Sequence, residues 1–202
     1  MSTGYKVIPL INLLNAKGEA WVSEHLSHFS CPLNQDVEYF IKRKAIEFST
    51  QAIARTSLVY TSYQKNLVLA GYFTIASKIF VVKRGKVNRR TWDRLKKFGN
   101  YVNETKSLCI SAPLIAQLGK NFAQEYNTLI TGDDLLSLAL DSVHIAQNII
   151  GGKIVYLECE DKPELISFYN RNNFYEFDRR SLDPDERDSS SISHMIQMLR
   201  YG

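Results

Sequence analysis

From Leu108 to Tyr201 strand-like and helix-like runs alternate along the chain, and that order constrains the fold more than any other feature. Leu108–Gly119 reads as a strand, with Pro113 and Gly119 marking it as distorted or splayed. Thr131-Gly132-Asp133-Asp134 opens a helix. Leu136, Ala139, Leu140, Val143 and Ile150 share one face of it; Asp134, Ser137, Asp141, His144 and Asn148 share the other. Gly151-Gly152 stops it. Lys153–Cys159 is a short apolar strand. Asp161, Lys162 and Pro163 start a helix that ends at Asn172-Asn173. Phe174–Phe177 is a strand, Asp178–Ser191 a polar loop, and Ile192–Tyr201 a last strand. Strands and helices mixed in this way argue for one α/β layer domain over residues 1–202.

The first half is consistent with that class. Tyr5–Leu14 is mostly apolar and reads as an opening strand. Ala20–Phe29 is a short helix, broken by Cys31-Pro32. A second helix starts after Asn34 or Asp36 and runs to about Thr50, with Phe40, Ile41, Ala45 and Phe48 on one face. Thr56–Tyr63 and Leu67–Ile75 are rich in β-branched and aromatic residues. The polar break Gln64-Lys65-Asn66 between them makes a β-hairpin.

Composition excludes several classes. With 202 residues, 45% hydrophobic and 23% charged, the chain is neither disordered nor low in complexity. Its apolar runs are too short to span a bilayer, and Met1–Lys6 has no secretory leader pattern, so no membrane role is expected. Three cysteines, Cys31, Cys109 and Cys159, are an odd number with no close pair. Free thiols in a reducing cytoplasm are the reading. His25, His28 and Cys31 have helical spacing but no fourth ligand nearby, so no metal is expected.

The net charge is only +4, yet it is unevenly spread. Lys83, Arg84, Lys86, Arg89, Arg90, Arg94, Lys96 and Lys97 face a single acid, Asp93. This reads as a mostly exposed basic insertion at about 83–106. Its helix spans Arg90–Tyr101, with Trp92, Leu95 and Phe98 as an apolar edge. It is either a solvated charged surface or a landing site for a polyanion or an acidic protein. Trp92 and Tyr101 then either stack on bases or anchor the helix.

Three segments resemble the GNAT family of acyl-CoA N-acyltransferases. Leu114-Ile115-Ala116-Gln117-Leu118-Gly119 looks like the central strand along which acetyl-CoA lies. Thr131-Gly132-Asp133-Asp134-Leu135-Leu136 looks like the end of the pyrophosphate loop. Phe168-Tyr169-Asn170-Arg171-Asn172-Asn173-Phe174 is similar to the family's Phe-Tyr-x-x-x-Gly-Phe. The resemblance implies a GNAT-like mixed, twisted, mostly antiparallel sheet of six or seven strands with helices on both faces. It also implies acetyl-CoA as co-substrate, without a metal. In the family's Gln/Arg-x-x-Gly-x-Gly/Ala loop the matching positions here are Asn127, Ile130 and Gly132, and only the last is kept.

The chemistry of these pieces has its own logic. A helix start carries unpaired N–H groups and about half a positive charge, which suits a diphosphate. The expected cradle is Leu129, Ile130, Thr131, Gly132, Asp133, Asp134 and Leu135, with Gly132 permitting close backbone approach and the two aspartates opposing an anion. The resemblance further implies that Leu114–Leu118, with Gln117 and Leu118 as the contacts, pair with the pantetheine arm, and that a backbone N–H near Gln117 polarises the thioester carbonyl. By the resemblance, Tyr169 gives a proton to the departing thiolate. An amine of pKa near ~10.4 must also lose a proton, and Glu158, at the end of its strand, is the first choice of base.

The expected activity is acetyl transfer to a primary amine. One alternative is a toxin-like enzyme that acetylates the amino acid carried on tRNA, motivated by the basic insertion. The other is a non-catalytic CoA-binding module, motivated by Asn127 and Ile130. A monomer and a homodimer are equally compatible with the sequence.

Overall fold

A computed structural model describes residues 4–182 and 194–202. Residues 183–191 of the expected polar loop, and Ile192 and Ser193 of the last expected strand, lie outside the described residues. The elements are β1 (Tyr5–Pro9), α1 (Leu10–Lys17), α2 (Glu19–Ser27), α3 (Gln35–Tyr39), a π-helical turn (Phe40–Lys44), α4 (Ala45–Thr50), β2 (Ala54–Tyr63), β3 (Asn66–Lys83), α5 (Arg89–Leu95) and β4 (Gly99–Val102). Then follow β5 (Ser107–Lys120), a 3₁₀ segment (Ala123–Leu129), α6 (Gly132–Ile150), β6 (Ile154–Glu160), α7 (Pro163–Arg171), β7 (Tyr175–Ser181) and β8 (His194–Tyr201). The strand order is β1-β2-β3-β5-β6-β8-β7, with β4 paired to β5, in an eight-stranded mixed sheet.

Two compact units divide the chain. One holds the residues up to Ala76 together with Ile115–Ser142; the other holds Ser77–Leu114 and everything from Val143 on.

In the first unit, β1 pairs antiparallel with β2, and β2 with β3. The strand expected over Tyr5–Leu14 is half right. It ends at Pro9, which sits at φ −57° and ψ 131°, and a helix takes over. An apolar run reads alike in either period; the packing of Leu10 and Leu14, one helical turn apart, decides it. The helix expected from Asn34 is capped there: Asn34 Oδ1 accepts from the N–H groups of Asp36 (3.0 Å) and Val37 (3.1 Å). The core includes Leu26, Phe29, Phe40, Ile41, Leu58 and Tyr72, each contributing about 1.5–3 kcal/mol by burial. The Tyr72 hydroxyl donates to the Val37 carbonyl at 2.6 Å. The hairpin turn is Gln64-Lys65, both with positive φ (48° and 67°), which suits the twist of the flanking strands.

A Cβ on Gly71 of β3 would lie 2.7 Å from the Gly119 carbonyl oxygen, a backbone atom that cannot swing aside. Gly71→Ala is therefore expected to destabilise the protein by about 2 kcal/mol, the usual scale of overpacking. Urea titration would register this as a lower midpoint with an unchanged slope.

In the second unit, β6 pairs with β8 and β7 with β8, all antiparallel. Here the basic insertion departs from expectation. Its helix stops at Leu95, and Gly99–Val102 forms β4, the eighth strand, against β5. The reason is Gly99: a Cβ there would sit 2.6 Å from Ile110 Cγ1 and 2.9 Å from the Cys109 carbonyl oxygen, so only glycine allows the approach. Nor is the insertion simply exposed. Trp92 and Leu95 are buried with Phe80, Val82, Leu108, Ile110 and Tyr156. Cys31 and Cys159 are buried and Cys109 half-buried, all as free thiols. Among the described residues no helix is long and apolar enough to cross a membrane.

Candidate functional site

The start of α6 is set by local chemistry. The Thr131 hydroxyl donates to Asp134 Oδ2 (2.6 Å), the Thr131 N–H donates to the same oxygen (3.2 Å), and the Asp134 N–H donates back to Thr131 Oγ1 (3.0 Å). This is a reciprocal capping box, and the spacing Thr-x-x-Asp is its signature in the sequence. By charge alone the two aspartates complement the helix dipole and oppose a phosphate. In fact Asp134 ties the turn together. The Tyr5 hydroxyl lies 3.2 Å from the Leu129 carbonyl oxygen and 3.3 Å from Asp134 Oδ2, fastening the turn to β1. The hydrogen bond from Thr131 holds the Asp134 carboxyl below its ordinary range, and burial with the Asp134 charge raises the Tyr5 phenol.

The turn stays open to solvent. Thr131 and Asp133 are exposed, Leu129, Gly132 and Asp134 half-buried, and only Ile130 and Leu135 point into the core. Just before it, Gln124 (φ 50°) and Glu125 (φ 61°) are in the left-handed region, unusual for two consecutive non-glycine residues. Strain of this kind is held in place by surrounding contacts and concentrates where backbone shape matters for binding. Gln117 and Leu118 lie on β5 and are half-buried.

In the second unit, Tyr169 sits near the end of α7. Its half-buried ring meets Phe168 and Phe174 edge-on, at centroid distances of 4.9 and 5.8 Å. Burial, and to a lesser extent Cys159, push its phenol well above the ordinary value. It therefore stays protonated at neutral pH. Among the described residues no hydrogen bond ties up its hydroxyl.

Glu158 is neither a surface carboxylate nor an isolated one. Its side chain is only 8% exposed and gathers four donors. The Tyr156 hydroxyl and Gln197 Nε2 (3.4 Å) approach Oε1, while Arg180 Nη2 (2.5 Å) and Lys78 Nζ (3.6 Å) approach Oε2. Register explains the gathering: Glu158 lies opposite Gln197 in the β6–β8 ladder, and Tyr156, two residues away on β6, shares its face. Tyr156 itself is stacked on Phe80 at 4.6 Å. Burial alone would raise the Glu158 carboxyl, but hydrogen bonds from Arg180 and Tyr156 and the charges of Lys78 and Arg180 hold it below its ordinary range. A carboxylate so stabilised is a weak base. Sequence reading missed this network because its members come from four separate strands.

His25 Nε2 is 2.9 Å from the Tyr60 hydroxyl, and its ring stacks on Trp21, so His25 is a packing residue of α2. Among the described residues no three His, Cys, Asp or Glu side chains form a metal-holding group. Trp92 is a core anchor, edge-on to Tyr101 at 6.2 Å, which leaves it no free face for a base.

No family model matches the sequence, and no curated protein is significantly similar to it in sequence. Solved structures do match. The AtaT protein complexed with acetyl-methionyl-tRNAfMet aligns over 95% of this chain and 93% of its own, at 14% identity and TM-score 0.62. A Tyr-to-Phe mutant of KacT aligns over 96% and 94%, at 13% identity and TM-score 0.61. AtaTR bound with AcCoA aligns over 96% and 92%, at 12% identity and TM-score 0.55. The chain therefore has the fold of the GNAT acetyltransferases.

Proposed function

We propose that the protein transfers an acetyl group from acetyl-CoA to a primary amine. The observation that carries this is the fold, matched over nearly the whole chain by a protein solved with AcCoA. In the reaction the amine nitrogen bonds to the thioester carbonyl carbon, the carbon–sulfur bond breaks, and the thiolate takes a proton as the new ammonium loses one. The open backbone of Leu129–Leu135 is the proposed diphosphate cradle, Gln117 and Leu118 the partners of the pantetheine arm, and Tyr169 the donor to the thiolate. A phenol that keeps its proton and has no competing hydrogen bond suits that part. Glu158, depressed in basicity, takes the amine proton only by way of water. No step requires a metal.

A second reading makes the acceptor an aminoacyl-tRNA. It is favoured by the match to a protein solved with acetyl-methionyl-tRNAfMet and by the basic insertion. Calorimetric titration with acetyl-CoA, followed by thiol release across an amine panel that includes charged tRNA, tests both. Binding with release only on charged tRNA selects the second reading. Binding without release on any amine means a CoA-binding module, as the departures at Asn127 and Ile130 would suggest. No binding removes the proposal.

A further inference from the structure

α5 is assembled against its own interest. Trp92 and Leu95 are spaced to bury one face, and they do. The opposite face carries Arg89, Arg90, Asp93 and Arg94, which together with Lys97, just past the helix end, line an open groove of about 500 Å³. Arg89 and Arg90 occupy the first turn, where the helix dipole disfavours cations, and no acid stands there to offset them. Arg90 and Arg94 are one turn apart with like charge, a repulsive spacing. Asp93 reaches Arg89 only at 3.8 Å, with both side chains exposed. Lys86 is paired with Asp178 at 2.9 Å, and Arg94 stacks over the Tyr201 ring at 3.8 Å. Arg90, Lys96 and Lys97 have no acidic partner among the described residues. A conflict between local preference and native placement is expected where function requires it.

We infer that the basic face formed by Arg90 and Arg94 of α5 and by Lys97 just after it is a docking surface for the phosphate backbone of a structured RNA. This deepens the tRNA reading, on which the choice of RNA rests. Arg90 and Arg94 lie about 6 Å apart along α5, and Lys97 follows just past its end, so the three can meet about three phosphates of one strand. The burial of Trp92 and Leu95 against Phe80 and Leu108 anchors the face to the sheet, so the cations are presented on a rigid support. Contact of these cations with phosphates orients the RNA and by itself carries no sequence information.

The test is fluorescence-anisotropy binding of an unacylated tRNA transcript, without acetyl-CoA, over a range of salt concentrations. For Arg90→Gln with Lys97→Gln, affinity at about 0.1 M salt should fall at least about tenfold, and the log–log salt slope should flatten by about 1.5–2. The melting temperature should stay level or rise, since a repulsive pair is gone. Arg43→Gln with Lys44→Gln, on the π-helical turn, should change neither quantity. A lower melting temperature in the α5 variant, an unchanged slope, or an equal loss in the control overturns the inference. So does equal competition by polyglutamate or by duplex DNA of matched charge. Because cofactor and turnover play no part, failure of the acetyltransferase reading leaves this result readable by itself.

Discussion

Tyr169→Phe is expected to slow acetyl-CoA-dependent thiol release by about 10²–10⁴-fold, the range for loss of a general acid. The substitution removes one oxygen and keeps the ring. Its edge-on contacts with Phe168 and Phe174 persist, so stability should change little. Acetyl-CoA affinity should hold within about twofold, because in the proposed role the phenol would act on charge that develops only as the thiolate leaves. Single-turnover kinetics beside calorimetry separate these quantities. Turnover equal to wild type would mean the proton comes from water or another side chain. A large loss of affinity alone would make Tyr169 a binding residue.

Glu158→Ala should produce the largest stability loss. It strips the anion from Arg180 and Lys78 and leaves the Tyr156 hydroxyl without its acceptor. Breaking a buried pair costs about 3–5 kcal/mol; Lys78, 38% exposed, keeps access to water, so the lower end, about 3 kcal/mol, applies. For a chain of this size that lowers the melting temperature by about 6–12 °C. Glu158→Gln separates structure from catalysis. It retains an acceptor for Tyr156 while removing the charge. Should Glu158 serve mainly the network, Gln will cost stability and leave turnover within about tenfold. A turnover loss beyond about 10² in a well-folded Gln variant would make it the base itself. The pH dependence has a definite sign. A carboxylate whose folded pKa is depressed adds stability above its unfolded value, near ~4.3, and loses it as pH falls toward the folded value. Wild type should therefore lose stability on acidification through that window, and the Gln variant should lose less.

The two residues stand differently toward the sequence. Tyr169 was legible because a short local motif surrounds it, Phe168 before and Asn173-Phe174 after. The chemistry of Glu158 was not, since the groups that set it, Lys78, Arg180 and Gln197, lie on β3, β7 and β8. The capping box at Thr131 and Asp134 was legible in principle. Its signature spans four contiguous residues. The face of α5 was legible as charge and apolar spacing, whereas the burial of Trp92 was not.

By itself the sequence determined the alternation of strands and helices, a turn within Gln64-Lys65-Asn66, a helix start at Asn34 or Asp36, and the long amphipathic helix ending at Gly151-Gly152. Each rests on interactions within a few residues, whose spacing is written in the chain. Only the tertiary structure decided that Leu10–Leu14 is helical and that Gly99–Val102 is a strand. It alone decided that Trp92 is core, and that Glu158 is held by groups far along the chain. In those places local preference is divided or silent, and the free energy of burying surface and pairing charges across strands settles the outcome.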